Sequence, residues 1–236
     1  MPLWTKHDLM LACKGSDPTS NYLNSFEKIN GISIDDRTIK KGELFVALIG
    51  ENFDGHNFIE SAISKGAGGV LVSNIKMAKK FNGILVDNTK DALINIGIFA
   101  RNRFGGITIG ITGSTGKTST NYILSNALNQ FGKTHKTSGN NNNIIGLSLT
   151  LSRLPNHFDF CVLELGMNNS GEIKELTKIA KPNIAVITNV SNSHIQNFKD
   201  EKQIAKEKSK IFFGLEKNGI AIINSDNAWK DFLITE

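Results

Sequence analysis

Ile107-Thr-Ile-Gly-Ile-Thr-Gly-Ser-Thr-Gly-Lys-Thr-Ser-Thr120 is an apolar run that breaks into small and hydroxylated residues and closes on Gly116-Lys117-Thr118. The apolar part predicts a buried strand over 107–112, and a helix is expected over about 117–131. Between them, small residues let backbone N–H groups point inward. With the positive end of the helix dipole these hold phosphate oxygens, Lys117 reaches the β- and γ-phosphates, and the Thr118 hydroxyl can ligate Mg²⁺. Gly113, Ser114, Thr115, Gly116, Lys117, Thr118 and Ser119 are therefore the expected nucleoside-triphosphate-binding residues. The general pattern G-x-x-x-x-G-K-[ST] is missed by one position, because Ile111 stands five before Gly116 and Gly110 stands one residue too early.

Downstream, Phe158-Asp-Phe-Cys-Val-Leu-Glu-Leu-Gly-Met-Asn168 predicts a second buried strand ending in Glu164, a carboxylate placed to hold a metal opposite the phosphate loop. Asn169 or Ser170 is the expected cap of the next helix, with Glu172 and Glu175 in its first turns. A further parallel-type strand over 184–189 leads to a loop carrying His194. In the helix expected over about 200–213, Asp200 and Gln203 form a capping-box pattern. Ile204, Ile211 and Phe212 mark its apolar face, and Lys202, Lys206 and Lys210 lie opposite. Lys208 falls on the apolar face, where a lysine costs free energy unless paired, modified or snorkelling. On composition alone the run Asn140-Asn-Asn-Asn143 reads as readily as low complexity as it does as a specific segment.

Upstream, short β-like runs at 32–34, 44–49, 70–72 and 84–86 alternate with helical runs near 57–65 and 75–81, which implies an α/β layer with a largely parallel or mixed sheet. Two strand-end loops, Asp35-Asp-Arg37 and Gly50-Glu-Asn-Phe-Asp-Gly-His56, gather acids, an arginine, an aromatic and a histidine where such sheets bind ligands. As bare residues they read more readily as a salt bridge plus a polar turn than as a ligand site. Leu93, Ile96 and Ala100 recur at helical spacing after a cap at Asn88 or Thr89. They predict a connector helix over 88–104 that packs on the second domain. The expected domains are 1–87 and 88–236.

At 236 residues, 39% hydrophobic and 21% charged, the composition is that of an ordinary globular chain. No run approaches the ~18 apolar residues of a membrane span. The start lacks a signal-peptide core, so a cytoplasmic protein is expected. Two distant cysteines, Cys13 and Cys161, argue against a disulfide framework or metal cluster. The net charge of +5 is scattered over helices instead of forming a basic stripe, which argues against nucleic acid and suits an anionic nucleotide.

Thr112-Gly-Ser-Thr-Gly-Lys-Thr118 resembles the T-G-[ST]-x-G-K-T loop of the Mur ligase family, cytoplasmic ATP-dependent enzymes that add amino acids to the peptidoglycan precursor. The stretch from Asp35 to Phe58 resembles the family's D-[ST]-R…G-x-L-F-V-A-L-x-G-x-x-x-D-G-H-x-F segment, with Asp36 in place of the usual Ser or Thr. Gly139-Asn-Asn-Asn-Asn-Ile-Ile-Gly146 resembles G-N-x-N-N-[DE]-I-G of the members that add D-alanyl-D-alanine, with Ile144 replacing the acid. Asn189 to Phe198 is similar to N-x-x-x-x-H-[LI]-x-x-F, and Ala205 to Phe212 to A-K-x-K-x-x-I-F.

The resemblance implies a small N-terminal α/β domain that holds the UDP end of a UDP-N-acetylmuramoyl-peptide. A P-loop ATP-binding domain with a mostly parallel sheet, incomplete at its C-terminus, follows, with ATP as the triphosphate held by residues 113–119. Asp35, Arg37, Asn52, Phe53, Asp54, Gly55, His56, Asn142 and Asn143 are the implied substrate contacts. Lys117, Glu164, His194 and Lys208 are the implied catalytic residues. Two Mg²⁺ ions would be held by Thr118, Glu164, His194 and Lys208, the lysine carrying a CO₂-derived carbamate. The implied substrates are the UDP-peptide and D-alanyl-D-alanine, and the expected state is a monomer. The chain corresponds to about half of such an enzyme. A sister ligase adding the third, diamino acid residue and an inactive truncated binding module are the alternatives.

Overall fold

The structure is a computed structural model that describes residues 3–18, 28–192 and 195–236. Contacts divide the chain into two compact units, Met1–Ala100 with Leu151–Arg153, and Arg101–Thr150 with Leu154–Glu236.

In the first unit β1 (Trp4–Thr5) is followed by α1 (Lys6–Cys13) and pairs antiparallel with β2 (Lys28–Ile29). A four-stranded parallel sheet follows in sequence order, β3 (Gly31–Ser33), β4 (Glu43–Val46), β5 (Gly69–Val72) and β6 (Ile84–Leu85). The crossovers are α2 (Ile59–Ser64) and α3 (Ile75–Phe81). Leu44, Phe45, Val46, Val70, Leu71 and Val72 are all buried, as parallel strands covered on both faces require. The helix expected at 57–65 is preceded by a tight 3₁₀ turn, Gly55–Phe58, capped by Asp54.

The connector helix is α4 (Thr89–Arg103), capped by Asn88, whose Oδ1 accepts from Lys90 N at 2.8 Å and Asp91 N at 3.1 Å. Its residues through Ala100 fall in the first unit and its last turn, Arg101–Arg103, in the second. Within the first unit the Trp4 ring lies 5.9 Å from that of Phe99 on this helix, and its indole N–H donates to Ser152 O at 2.8 Å.

In the second unit β7 (Ile107–Thr112) is the centre of a five-stranded parallel sheet. The other strands are β8 (Thr134–Lys136), β9 (Phe160–Glu164), β10 (Ile184–Ile187) and β11 (Ile220–Ile223), and the order is β11-β10-β7-β9-β8. Helices α5 (Lys117–Leu128), α6 (Ile144–Ser152), α7 (Glu172–Ala180), α8 (Glu201–Ser209) and α9 (Lys230–Thr235) complete the chain. After β7 the chain moves to β8 and β9 on one side and then to β10 and β11 on the other. The carboxyl end of β7 is therefore a topological switch point, where open α/β sheets bind ligands.

Three local expectations are corrected. Helix α5 stops at Leu128, where the Phe131 and Gly132 N–H groups turn back onto Leu128 O. Helix α7 is capped by Gly171, at φ 99°, not by Asn169 or Ser170. Helix α8 ends at Ser209 and tightens into a 3₁₀ turn, Lys210–Gly214, that is pressed onto α7: Thr177 Oγ1 donates to Ile211 O at 2.7 Å, and a Cβ on Gly214 would meet Thr177 O at 2.3 Å. Cys13 and Cys161 are buried free thiols whose pKa values burial pushes up to about 11 and about 12, so both are inert core residues. Among the described residues no helix is long and apolar enough to cross a membrane.

Candidate active site

The phosphate loop is held by the segment that follows β10. Ser114 N donates to Asn189 O at 3.0 Å and Thr115 N to Asn189 Oδ1 at 2.9 Å, while Asn189 Nδ2 donates to Thr115 Oγ1 at 2.7 Å. Ser114 Oγ donates to Ser191 O at 2.9 Å, and Thr188 Oγ1 donates to Thr115 O at 2.6 Å. Gly113 lies at φ 155°, and a Cβ there would stand 1.9 Å from Thr188 Oγ1, so only glycine fits the turn. Gly116, at φ 83°, caps α5 without a side-chain bond, which leaves the first-turn N–H groups of the helix to a ligand. Lys117 Nζ donates to Gly113 O at 2.7 Å, which holds the ammonium over the loop. Burial lowers its pKa, and the Glu164 carboxylate opposes that shift.

Glu164 is 1% exposed and pairs with Ile111 across β9 and β7, at the point where the loop begins. Its Oε2 accepts from Thr118 Oγ1 at 3.1 Å and its Oε1 from Asn121 Nδ2 at 2.9 Å. Asn121 is oriented by Ser125 Oγ at 3.1 Å, and Thr137 Oγ1 accepts from Glu164 N at 3.0 Å. A hydroxyl and a buried carboxylate side by side are hard oxygen donors, and a buried negative charge calls for a cation, so the pair suits Mg²⁺. Among the described residues no three of His, Cys, Asp and Glu cluster, and His194 lies outside the described residues.

Lys208 is 2% exposed on α8. Burial first, and then the charge of Lys117, lower its pKa to about 7, with Glu207 opposing. The inward lysine inferred from helical spacing is thus buried near Lys117. A cavity of about 230 Å³ is lined by Lys117, Asn142, Asn143, Gly166, Met167 and Asn168, with Glu172 at its edge. The asparagine run is an ordered turn: Asn142 O accepts from Gly166 N at 2.9 Å, and Asn143 Oδ1 caps α6 by accepting from Gly146 N at 2.9 Å.

In the first unit a cavity of about 490 Å³ is lined by Asp35, Asp36, Arg37, Phe53, Gly55 and Phe58, with Ile34 and Phe45 behind. Arg37 and Asp35 form a two-pronged pair, with Nε to Oδ1 at 2.9 Å and Nη2 to Oδ2 at 2.7 Å, and the guanidinium holds the Asp35 pKa down to about 2. Asp36 accepts from Ser61 Oγ at 2.6 Å and pairs with Lys65 at 3.1 Å. Phe53 and Phe58 are 54% and 43% exposed, which leaves aromatic surface to a ligand. His56 is buried and uses both ring nitrogens: Nδ1 donates to Asp54 Oδ1 at 2.6 Å and Nε2 accepts from Ser73 N at 3.0 Å. It shapes the loop from behind, and Asn52 is exposed outside the lining.

A parallel sheet whose central strand enters a Gly-Lys-Thr loop at the switch point, with a buried carboxylate on the neighbouring strand, defines a phosphate-loop nucleotide-binding protein. Within that class the chain belongs to the Mur ligase family. Residues 111–236 match the Mur ligase middle domain, and residues 28–98 match the Mur ligase family catalytic domain.

The chain is 44% identical over 224 residues to the UDP-N-acetylmuramoyl-tripeptide–D-alanyl-D-alanine ligase of Buchnera aphidicola subsp. Baizongia pistaciae, covering 92% of this chain and 48% of that protein. It is 38% identical over 199 residues to the Escherichia coli K12 ligase of the same name, covering 84% and 44%. A crystal structure of MurF from Acinetobacter baumannii superposes with a TM-score of 0.87 at 31% identity, over 100% of this chain and 52% of that one. The MurF ligase of Thermotoga maritima in complex with ADP gives 0.72 at 31% identity, over 87% and 47%. The chain spans about half the length of the curated relatives it matches.

Proposed function

We propose that this chain is the UDP-peptide-binding and ATP-binding half of a cytoplasmic ligase that joins D-alanyl-D-alanine to UDP-N-acetylmuramoyl-tripeptide. The observation that carries the chemistry is the Lys117, Thr118 and Glu164 cluster at the carboxyl end of β7. Similarity to ligases of that name supports the choice of acceptor. Residues 1–87 take the UDP end, with the Phe53 and Phe58 faces for the base and Arg37 for phosphate, and residues 88–236 take ATP.

In the proposed reaction an oxygen of the tripeptide's terminal carboxylate attacks the γ-phosphorus of ATP. The bond to the β,γ-bridging oxygen breaks, leaving ADP and an acyl phosphate. The dipeptide amine then attacks the acyl carbon and loses a proton, and phosphate departs as the amide forms. Lys117 and the loop N–H groups stabilise charge on the transferred phosphoryl group. Mg²⁺ held by Thr118, Glu164, His194 and a carboxylate on Lys208 supplies further neutralisation of the phosphates when bound. No covalent enzyme intermediate is required.

The surroundings of Lys208 support a carbamate at this position. With a pKa of about 7 a substantial share of its amine is neutral near pH 7. The Nζ lone pair attacks the carbon of CO₂, an N–C bond forms, one C–O π pair becomes an oxyanion, and the amine proton leaves to solvent. The product is a long-stemmed carboxylate, and the change converts repulsion from Lys117 into attraction.

The test is phosphate release from ATP and Mg²⁺ with UDP-N-acetylmuramoyl-tripeptide, with and without D-alanyl-D-alanine. Dipeptide-dependent turnover, lost in Lys208→Ala, supports the acceptor and means that 236 residues suffice. Saturable UDP-peptide binding without turnover identifies the binding half. Absence of both UDP-peptide binding and turnover refutes the proposal.

A further inference from the structure

Glu207 is a buried carboxylate with no part in the chemistry above. It is 1% exposed, yet it lies on α8 directly beside Lys208. Its Oε1 accepts from Gly171 N at 2.8 Å, and its Oε2 accepts from Ser170 Oγ at 3.1 Å and pairs with Lys210. Gly171 is the N-cap of α7 and brings no side chain to that role, so a carboxylate from another helix meets the positive end of α7. The segment it grips, residues 166–171, begins two residues after Glu164, the buried carboxylate at the end of β9. One side chain therefore ties the loop leaving Glu164 to the helix carrying Lys208.

We infer that Glu207 is a positioning residue: it fixes the rotation and register of α8 against the 166–171 loop and so sets where the Lys208 amine stands relative to Lys117 and Glu164. Neighbours on a helix are about 100° apart, so the contact that locks Glu207 inward also fixes the direction of Lys208. The turn after α8 is held too, by Thr177 on Ile211 O, but that contact lies a full turn from Lys208. On the other side of Lys208, Ser209 Oγ meets Lys206 O and Glu236 Oε2, and Ile204 and Ala205 are buried, but it is Glu207 that reaches the 166–171 loop. The inference rests on the proposed role of Lys208 as the carbamate-bearing residue.

The experiment uses the whole chain as wild type, Glu207→Ala and the milder Glu207→Gln, with Lys208→Ala as the control that defines the Lys208 signal. Three quantities are read: the Lys208 carbamate resonance by ¹³C NMR in ¹³C-bicarbonate, the ADP dissociation constant, and amide hydrogen exchange. The expected result is a carbamate signal lowered at least about fivefold in Glu207→Ala and at least about twofold in Glu207→Gln, with ADP affinity within about threefold of wild type, because small misplacements of a supporting shell act on the positioned group first. Exchange should rise in 166–171 and in 203–211 together while 110–118 stays protected. A carbamate signal unchanged in both variants overturns the inference, as does exchange that rises in one segment alone or throughout the chain. A wild type with no carbamate signal counts against the carbamate reading only. The paired exchange of the two segments then decides the role of Glu207.

Discussion

Lys208 carries the largest burial penalty of the candidate site, and that penalty has a pH signature. Its folded pKa is about 7 against an ordinary 10.5, so between those values the unfolded chain binds more protons. Wild-type stability should therefore rise with pH through that window, with the penalty fully present below it. Urea unfolding in CO₂-free buffer should give Lys208→Met a flatter profile and greater stability below pH 7. Parallel profiles would contradict the buried placement. At Gly113 an added methyl meets Thr188 Oγ1 at 1.9 Å, so Gly113→Ala should weaken ADP binding by about tenfold or more, as calorimetry can measure.

Lys208 was legible because helical spacing put a charge on an apolar stripe. Glu207 was not, since the same arithmetic places it at the edge of the stripe and its partners Ser170 and Gly171 lie on another helix's approach. Asn121, Thr137 and Thr188 were missed for a similar reason. The side-chain partners of Thr137 and Thr188 are 27 and 76 residues away and the Glu164 partner of Asn121 is 43 away, and a lone polar residue in a helix or loop gives no local signal of that.

The ends of elements, more than their interiors, decide how the second unit is assembled. Arg101, 6% exposed, donates through Nε to Ala180 O at 2.7 Å and through Nη2 to Lys181 O, stopping α7 where Lys181 turns to φ 42°. Arg101→Ala should lower stability by about 2–3 kcal/mol in chemical denaturation, because a buried and a partly buried carbonyl lose a charged donor. A loss below about 0.5 kcal/mol would mean that water replaces the guanidinium without cost.

Strands β7, β9 and β10 and helices α4, α5 and α8 were readable from apolar runs and caps. Helix α6 was not, because Ile144-Ile-Gly-Leu-Ser-Leu-Thr-Leu-Ser152 is apolar on nearly every side and follows an asparagine run that looks unstructured. Only its packing shows that Asn143 is a cap. Strand β8, with one polar residue on either side of His135, carried no strand pattern at all.

On the scale of the molecule, two parallel sheets each offer a cavity at the carboxyl ends of their strands, one lined by aromatic rings and an Asp–Arg pair and one by a lysine and amides. In the proposed function they take different anions, a UDP-sugar peptide and ATP, and the two should be separable. The most direct measurement is calorimetric titration of the chain with UDP-N-acetylmuramoyl-tripeptide and, separately, with Mg²⁺-ADP, in wild type, Lys117→Ala and Arg37→Ala. Wild type is expected to bind both. Lys117→Ala should lose ADP alone by about tenfold or more, and Arg37→Ala the UDP-peptide alone by a similar factor, as loss of a charge-assisted phosphate contact implies. A wild-type chain that binds ADP but not the UDP-peptide, or an Arg37→Ala variant that loses ADP instead, would contradict it.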